Sequence, residues 1–231
     1  TGRFKGITGN SEFRFFVGLL CCAICFISLA LFFFDGSAYH GGVKDAKYES
    51  LQGALRYAAF QAVSIATTTG FCNADFDRWP HFCRFFLVLI MFIGGCAGST
   101  AGGMKVARVM LLFKSSAREL VHLLRPRAIM HVKLSGKPVS EEILTNTLGF
   151  VVLYMMLFGV LSIILTIFGT EPITAFSSVA SMMNSIGPAL ADAGASKTYS
   201  GIAYPGKWIL IFCMLLGRLE IYAVILIFLP I

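Results

Sequence analysis

The sequence predicts an all-α membrane protein with two copies of one unit: a long helix, a short re-entrant helix, a loop and a second long helix. Of the 231 residues, 57% are hydrophobic and 13% are charged, and the mean hydropathy is +0.78. Soluble domains contain roughly 25% charged residues, so the composition excludes a soluble enzyme domain. The apolar residues lie in four long runs, and a shorter, more polar run lies inside each pair of long runs.

The four long runs are residues 13–34, 82 to about 113, 147–168 and 207–229. Each is long enough to cross a bilayer, which takes about 20 helical residues. The two shorter runs mix Ser, Thr and Gln with apolar residues, and they span residues 51–66 and 172–183. At about 1.5 Å per residue the shorter runs cannot cross the hydrocarbon core. We expect each of them to form a re-entrant helix.

The two halves of the sequence also resemble each other. Residues 59–63 (AFQAV) match residues 175–179 (AFSSV). From the Phe of each motif, Gly70 follows after ten residues and Gly187 after eleven, so this alignment requires one inserted residue. An internal repeat of this kind predicts two similar structural units. The predicted division is residues 1–113 for the first unit, 114–141 for a basic connector and 142–231 for the second unit.

The net charge of +7 is confined to residues 105–137, which hold eight Lys or Arg and one Glu. By the positive-inside rule, this segment is cytoplasmic together with Arg3, Lys5 and Arg14. The opposite face is mildly acidic, which favours cations at its surface. Because membrane topology accounts for the basic excess, no nucleic acid partner is expected. Binding to anionic lipid, docking of a cytosolic partner, and topology alone remain open as explanations of the segment.

No residue pattern predicts a catalytic site. The cysteines lie mostly in apolar runs, where free Cys acts as a small hydrophobe, so no disulfide framework is expected. The histidines have no metal-ligand spacing, and no Ser/His or His/Asp constellation is evident. The glycine-rich run ends Gly103-Met104-Lys105-Val106 and lacks the Gly-Lys-[Ser/Thr] of a phosphate-binding loop. We therefore expect no enzyme activity and no cofactor.

Candidate functional residues follow each re-entrant run, in residues 67–71 (TTTGF) and 184–188 (NSIGP). Non-helical backbone at membrane depth is tolerated only where protein buries it or where it lines a water-filled cavity. Each segment has a Gly, which can adopt the positive φ that turns successive carbonyls toward one axis. Rings of such carbonyls replace the hydration shell of K⁺ in potassium channels. A Thr/Gly turn between two packed helices is the alternative interpretation of the same residues.

A glycine-rich segment interrupts the second long run, with five Gly in residues 94–103. Each Gly costs about 1 kcal/mol of helix stability relative to Ala. The spacing of Gly94, Gly98 and Gly102 also fits the small-xxx-small pattern of closely packed helices. The number of glycines favours an irregular intramembrane loop, which occurs where backbone lines a cavity.

Two charged residues, Arg218 and Glu220, stand in the otherwise apolar fourth run. A charge at the centre of a membrane helix costs about 2.5 to 3.5 kcal/mol on insertion scales, and is a functional candidate by default. The two residues lie about 200° apart around a helix, so they cannot share a face. Structural pairs with other helices and a functional role are both open.

The motifs together resemble the Trk/Ktr/HKT superfamily of potassium transporters, and most closely the bacterial TrkH proteins. The segments that carry the resemblance are residues 66–71 (ATTTGF), 94–105 (GGCAGSTAGGMK), 184–188 (NSIGP) and 217–220 (GRLE). The resemblance covers the whole sequence. It implies a pore built from four successive potassium-channel-like M1-P-M2 units, of which this sequence has the third and fourth. The N-terminal two units would then be partners in the same pore.

The resemblance also implies roles for residues. The filter carbonyls that bind K⁺, the one metal ion implied, are those of Thr68, Thr69, Gly70, Ser185, Ile186 and Gly187. A gate lies beneath the filter and is formed by Gly94, Gly95, Gly98, Ser99, Thr100, Gly102, Gly103 and Lys105. Arg218 faces the pore and raises the barrier to cations. Only the Gly is common to both filter segments, so the filter is looser than the TVGYG of tetrameric potassium channels.

For the whole protein, the resemblance implies potassium uptake across the bacterial inner membrane by a multi-pass protein surrounded by lipid. It further implies a homodimer with one pore per subunit, and cytosolic RCK-type nucleotide-binding subunits (TrkA-like) on the cytoplasmic face. Channel-like conduction and symport with H⁺ or Na⁺ are both compatible with it. The alternative function is a non-conducting polytopic scaffold whose Gly motifs only pack helices.

Overall fold

The computed structural model describes residues 10–33, 50–125, 131–134, 136–219, 221, 222 and 224. This part of the chain contains seven α-helices, three short 3₁₀ turns and one two-stranded hairpin. The helices are α1 (Ser11–Phe33), α2 (Leu51–Ala66), α3 (His81–Met91), α4 (Val106–Leu124), α5 (Glu141–Ile167), α6 (Pro172–Met183) and α7 (Tyr204–Leu219). The helical fold class is as the sequence predicts.

In the first unit, the long helix α1 packs along the short helix α2. Helix α2 begins where the Ser50 hydroxyl accepts a hydrogen bond from the Gly53 amide at 3.0 Å, which satisfies one of the free amides of the first turn. It ends at Ala66, 16 residues later. Its bounds are those of the first predicted re-entrant run.

In the second unit, α6 packs between α5 and α7. Two acidic residues in the first turn of α5, Glu141 and Glu142, complement the positive end of the helix dipole. Helix α6 starts with Pro172, whose fixed φ suits the first helical position. It spans 12 residues, most of them buried, and again has the bounds of the predicted re-entrant run. The center of the second unit is therefore a short helix enclosed by protein.

The second predicted long run is broken. Helix α3 ends at Met91 and α4 begins at Val106, so residues 92–105 form an irregular loop. Within this loop Gly98 and Gly103 have φ of +83° and +71°, which no residue of a right-handed helix adopts. The small-xxx-small interpretation of these glycines is therefore wrong. Because α4 continues to Leu124, the predicted division after residue 113 falls inside a helix.

The structure also changes the alignment of the two units. Helices α2 and α6 end at Ala66 and Met183, and the turns that follow have the same hydrogen bonds at positions 117 residues apart. The match of AFQAV with AFSSV is therefore displaced by one residue, and no inserted residue is needed near the glycines. The two motifs resemble each other because both helices are rich in small and apolar residues.

The described residues of the basic connector are folded. A hairpin of β1 (Lys133–Leu134) and β2 (Lys137–Pro138) follows α4, and Arg118 on α4 pairs with Glu141 at the start of α5, 2.5 Å between nitrogen and oxygen. A small apolar cluster holds the connector to the helices, and its buried members are Leu111, Val132 and Leu144. The connector is thus attached to both helices that it joins.

Two of the described helices, α1 and α5, are long and apolar enough to cross a membrane by length and composition. Large apolar side chains on α5 are exposed along its outer face, with Val152 at 67%, Ile163 at 63% and Ile167 at 73%. A face of this kind suits contact with lipid or with further apolar protein. Helix α3, with 11 residues, is apolar but shorter.

We predict opposite stability effects for two glycine substitutions in helices. A Cβ on Gly217 of α7 would lie 2.1 Å from the Met183 carbonyl oxygen, whereas a Cβ on Gly159 of α5 meets nothing within 4 Å. Gly217→Ala should lower the free energy of unfolding by about 1 to 3 kcal/mol through overpacking. Gly159→Ala should leave it unchanged or raise it by up to about 1 kcal/mol. Thermal unfolding of the full-length protein in detergent measures both, and equal midpoints would contradict the close approach.

Candidate functional site

Three non-helical segments meet at the ends of the two short helices. We call residues 67–71 the first filter loop, residues 184–188 the second filter loop and residues 92–105 the gate loop, after the roles that the resemblance implies. Each filter loop directly follows a short helix, α2 or α6. The negative end of each helix dipole therefore lies beside its filter loop.

The first filter loop begins with a tight turn. The Thr68 amide donates to the Ile65 carbonyl at 3.0 Å, and the Thr69 amide donates to the Ser64 carbonyl at 2.9 Å. Thr68 and Gly70 both have positive φ, +55° and +78°. The chain thus reverses within three residues while using carbonyls at the end of α2 as acceptors.

The second filter loop repeats this turn with a different sequence. The Ser185 amide donates to the Met182 carbonyl at 3.0 Å, and the Ile186 amide donates to the Ser181 carbonyl at 2.9 Å. Ser185 and Gly187 have φ of +54° and +113°. Both loops therefore alternate positive φ with an intervening residue, a pattern that rotates successive peptide planes.

Thr68 and Ser185 are predicted filter residues, but their positive φ is a feature that sequence reasoning missed. A non-glycine residue held in such a sparsely populated region costs of order 1 to 3 kcal/mol, and such residues cluster at functional sites. No sequence signal identifies them, because a β-branched Thr disfavours positive φ. The strain is held by the hydrogen bonds to the preceding helix.

Four of the six predicted filter carbonyls are free acceptors. Within the described part of the chain, the carbonyl oxygens of Thr68, Thr69, Ser185 and Ile186 accept no hydrogen bond. The other two, on Gly70 and Gly187, accept from a thiol and a hydroxyl at 3.7 and 2.6 Å. Unpaired carbonyls at membrane depth are costly unless a ligand or water satisfies them.

The two filter loops are in direct contact. A Cβ built on Gly70 would lie 1.9 Å from the carbonyl oxygen of Ile186 and 3.3 Å from Pro188. Only Gly fits at position 70, because its backbone adjoins the backbone of the other loop.

The gate loop lies against the first residues of both filter loops. The Gly102 amide donates to the Thr68 hydroxyl at 3.3 Å. A Cβ on Gly102 would lie 2.6 Å from the carbonyl oxygen of Asn184, and one on Gly103 would lie 1.8 Å from its side-chain oxygen. Because Gly102 and Gly103 have no side chain, the gate loop can contact the filter loops at the ends of α2 and α6.

Backbone hydrogen bonds close the base of the gate loop. The Gly94 amide donates to the Met104 carbonyl at 2.8 Å, and the Val106 amide donates to the Gly95 carbonyl at 3.2 Å. The end of α3 and the start of α4 are therefore held together, and the residues between them form a single closed loop.

Two cationic side chains bind the tip of the gate loop. The Lys105 ammonium donates to the carbonyls of Ser99, at 2.8 Å, and Ala101, and the Arg218 guanidinium donates to the carbonyl of Thr100. Three consecutive carbonyls are thus bound by positive charge. Arg218 therefore has a structural partner, which is a carbonyl of the gate loop. Glu220 lies outside the described residues.

An acidic residue also anchors the gate loop, and sequence reasoning did not find it. Glu12, in the first turn of α1, is 8% exposed, and its carboxylate accepts a hydrogen bond from the Ala97 amide at 2.5 Å. An acidic residue in the first turn of a helix is ordinary in sequence terms, because it complements the dipole. Only the fold brings it to the loop.

The segments that follow the two filter loops are joined as well. The Asp77 carboxylate accepts from the Ala191 amide at 3.1 Å and pairs with Arg84 at 3.4 Å. The Ser196 hydroxyl donates to Asp75 at 2.8 Å. On the side opposite the gate loop, these carboxylates fix the two loop exits to each other.

Most of the predicted site residues are therefore brought together, and a few are not. Gly98 has no atom within 4 Å of the position of its missing Cβ. Of the histidines that the structure describes, His122 and His131 are exposed and lie away from the site, and His40 lies outside the described residues. Among the described residues, no group of three or more His, Cys, Asp or Glu could hold a metal ion.

A comparison with known protein families assigns the chain. Residues 9–230 match the model of a family described as "TrkH: Cation transport protein". The chain belongs to the TrkH family. The family consists of cation transport proteins and not of enzymes. The all-α membrane fold expected from the resemblance is confirmed.

Known TrkH proteins are similar over most of this chain. The Trk system potassium uptake protein TrkH of Halomonas elongata is 44% identical over 79% of this chain and 37% of its own length. The protein of the same name in Escherichia coli K12 is 37% identical over 96% of this chain and 43% of its own length.

A solved TrkH structure has the same fold. The crystal structure of the potassium transporter TrkH from Vibrio parahaemolyticus superposes with a TM-score of 0.85 and 35% identity, covering 98% of this chain and 46% of that one. The chain thus spans less than half the length of these TrkH relatives.

We predict that Glu12 immobilises the gate loop. Glu12→Ala removes the acceptor of the Ala97 amide and should increase the reaction rate of the adjacent Cys96 thiol with a maleimide by about threefold or more, because local opening exposes it. Glu142→Ala, at an acidic residue in the first turn of α5, is the control and should leave the rate unchanged. Mass spectrometry of the Cys96 peptide from full-length protein measures the rate. Equal rates in the two variants would show that Glu12 does not hold the loop.

Proposed function

We propose that the full-length protein carries K⁺ across the membrane through a pore of four units, of which this chain supplies the third and fourth. The observation that carries the proposal is the pair of filter loops, with one strained turn at the end of each short helix and four carbonyls free to accept. The named function of the relatives supports it, since they are potassium uptake proteins. A non-conducting scaffold would gain nothing from strained turns and unpaired carbonyls.

The filter loops would act by replacing water around the ion. Carbonyl oxygens of Thr68, Thr69, Ser185 and Ile186 have unused acceptor capacity. Together with the carbonyls of the other two units, they would form rings around a dehydrated K⁺. The dipoles of α2 and α6 place negative potential at the same point and stabilise a cation there.

The gate loop would close the pathway on one side of the filter. It contacts the start of both filter loops, and the charges of Lys105 and Arg218 lie at its tip. A positive charge in the path of a cation raises the barrier to its passage. Conduction then requires the loop to leave the filter, which breaks its hydrogen bonds to Lys105, Arg218 and Glu12.

The surroundings of the protein follow from the charge distribution. We place it in the bacterial inner membrane with the basic connector in the cytoplasm, by the positive-inside rule. The gate loop, which leads into α4 and the connector, then lies on the cytoplasmic side of the filter. The basic residues of the connector would bind an RCK-type nucleotide-binding subunit (TrkA-like), anionic lipid, or both. We further propose a homodimer with one pore per subunit.

We predict that K⁺ flux depends on both filter glycines. Gly70→Ser and Gly187→Ser force a side chain onto positive φ, and at position 70 also against the Ile186 carbonyl. Each should reduce ⁸⁶Rb⁺ uptake into proteoliposomes by about tenfold or more, which corresponds to a barrier increase of about 1.4 kcal/mol. Gly169→Ser is the control, because Gly169 has φ of +83° and open space around it but lies outside the filter.

The filter assignment would be wrong if either filter variant retained the uptake of the wild type. A fall in the Gly169→Ser variant comparable to that in the filter variants would instead point to a general effect of strain at positive φ.

We predict that Lys105 holds the gate closed. Lys105→Met removes the bonds to the Ser99 and Ala101 carbonyls and one positive charge, and should raise the open probability of reconstituted protein in bilayer recordings by about twofold or more. Lys114→Met is the matched control, since the Lys114 ammonium, on the helix that follows the gate loop, also binds a backbone carbonyl, that of Lys133 at 2.7 Å, away from the gate loop. An unchanged or lower open probability in Lys105→Met would contradict the gating role.

A further inference from the structure

The carbonyl of Gly187 differs from the other filter carbonyls of the second loop, because a side chain occupies it. The Tyr199 hydroxyl donates a hydrogen bond to this carbonyl at 2.6 Å, a short distance for an O–H···O bond. The Gly187 amide in turn donates to the Ser181 hydroxyl at 3.0 Å. Both backbone polar groups of this glycine are therefore held by side chains.

The matching glycine of the first loop is held less firmly. The Gly70 amide donates to the Ser64 carbonyl at 3.4 Å, and the Gly70 carbonyl accepts from the Cys72 thiol at 3.7 Å. A thiol is a weak donor, whereas a phenolic hydroxyl is an ordinary strong one. Two carbonyls at equivalent filter positions thus have different acceptor capacity left for an ion.

Tyr199 is fixed in place by the segment that contains it. It opens a 3₁₀ turn, Tyr199–Gly201, in the segment that joins the second filter loop to α7. Earlier in that segment, the Leu190 amide donates to Ser177 at 3.1 Å and the Asp192 amide donates to Thr174 at 3.2 Å, both on α6. The ring packs against the main apolar core. The hydroxyl therefore reaches Gly187 from a rigid support.

The hydroxyl also stays protonated at physiological pH. Burial raises the pKa of Tyr199 to about 12. A protonated phenol keeps its donor, so the bond to the Gly187 carbonyl persists across the working range of pH.

We propose that Tyr199 is a positioning residue that sets the ion selectivity of the second filter loop by holding the Gly187 carbonyl in place. This inference rests on the proposed function as a potassium pore. Selectivity for K⁺ over Na⁺ depends on how many carbonyls meet the ion, on their field strength and on how freely they move. A carbonyl tied to a rigid phenol cannot move inward to contact the smaller Na⁺.

The two filter loops also differ just after the glycine. Pro188 follows the glycine where the first loop has Phe71, and a proline nitrogen carries no hydrogen to donate. In the first loop, the Ser64 hydroxyl donates to the carbonyl of Phe71 at 2.7 Å. The first loop is thus held at the carbonyl after its glycine by its own short helix, whereas the second loop is held at the carbonyl of its glycine by Tyr199.

The test is Tyr199→Phe in the full-length protein, with Tyr204→Phe as the matched control. The substitution removes one oxygen atom and leaves the ring, so the packing is retained. Tyr204 is 82% exposed at the start of α7, and it loses the same atom away from the filter. Uptake of ⁸⁶Rb⁺ and of ²²Na⁺ into proteoliposomes is measured for wild type and both variants.

We expect Tyr199→Phe to lower the ratio of Rb⁺ to Na⁺ uptake by about threefold or more, because the freed carbonyl adapts to Na⁺, and Tyr204→Phe to leave the ratio unchanged. An unchanged ratio in Tyr199→Phe would overturn the inference, whether or not both fluxes fall together, since a merely structural role reduces both alike. Absence of Rb⁺ uptake in the wild type would instead contradict the proposed function itself.

Discussion

Polypeptide that leaves the α-helix inside a membrane exposes amides and carbonyls for which lipid offers no partner. In this structure the partners come from charged and hydroxyl side chains and from other backbone. Backbone can approach backbone closely only where side chains are missing. Gly70 adjoins Ile186, Gly102 adjoins Asn184, and Gly217 of α7 adjoins Met183. At each of these contacts a single methyl group would collide with a carbonyl oxygen. Glycine therefore allows the close backbone contacts among the filter loops, the gate loop and the ends of the last two helices.

The two filter loops have one shape with different residues. Their turns use equivalent backbone hydrogen bonds, so the residue identities at Thr68 and Ser185, or Thr69 and Ile186, are not what determines the turn. The side chains around the turns have diverged instead. The hydroxyl of Ser64 donates to a loop carbonyl, while that of Ser181, the equivalent position, accepts from a loop amide. The backbone conformations of the two loops are therefore equivalent, whereas the side-chain hydrogen bonds around them differ.

Much of the architecture could be predicted from the sequence. The short runs gave the bounds of α2 and α6, because a polar and small-residue composition within an apolar sequence marks a helix that is enclosed by protein. The five glycines indicated the break between α3 and α4, because their summed cost exceeds what one helix tolerates. The repeat itself could also be predicted. Its alignment was displaced by one residue, because similar small and apolar residues occur one position apart in α2 and α6.

The rest of the site could not be predicted, because it depends on contacts between residues far apart in the sequence. Glu12 reaches Ala97, 85 residues away, and Asp77 reaches Ala191, 114 residues away. Each of these carboxylates has an ordinary local explanation, so neither stands out in the sequence. The positive φ of Thr68 runs against its intrinsic preference. Such strain is enforced by the surrounding structure and leaves no trace in local composition.

The gate loop is held by Lys105, Arg218 and Glu12, and all three bind its backbone. The side chains of Ala97, Ser99, Thr100 and Ala101 take no part in these bonds. Natural variation at these four positions should therefore be tolerated wherever the substitute fits the space, whereas the glycines on either side and the three charged residues should not vary. The side chains of the loop can differ among related proteins while its backbone keeps the same conformation.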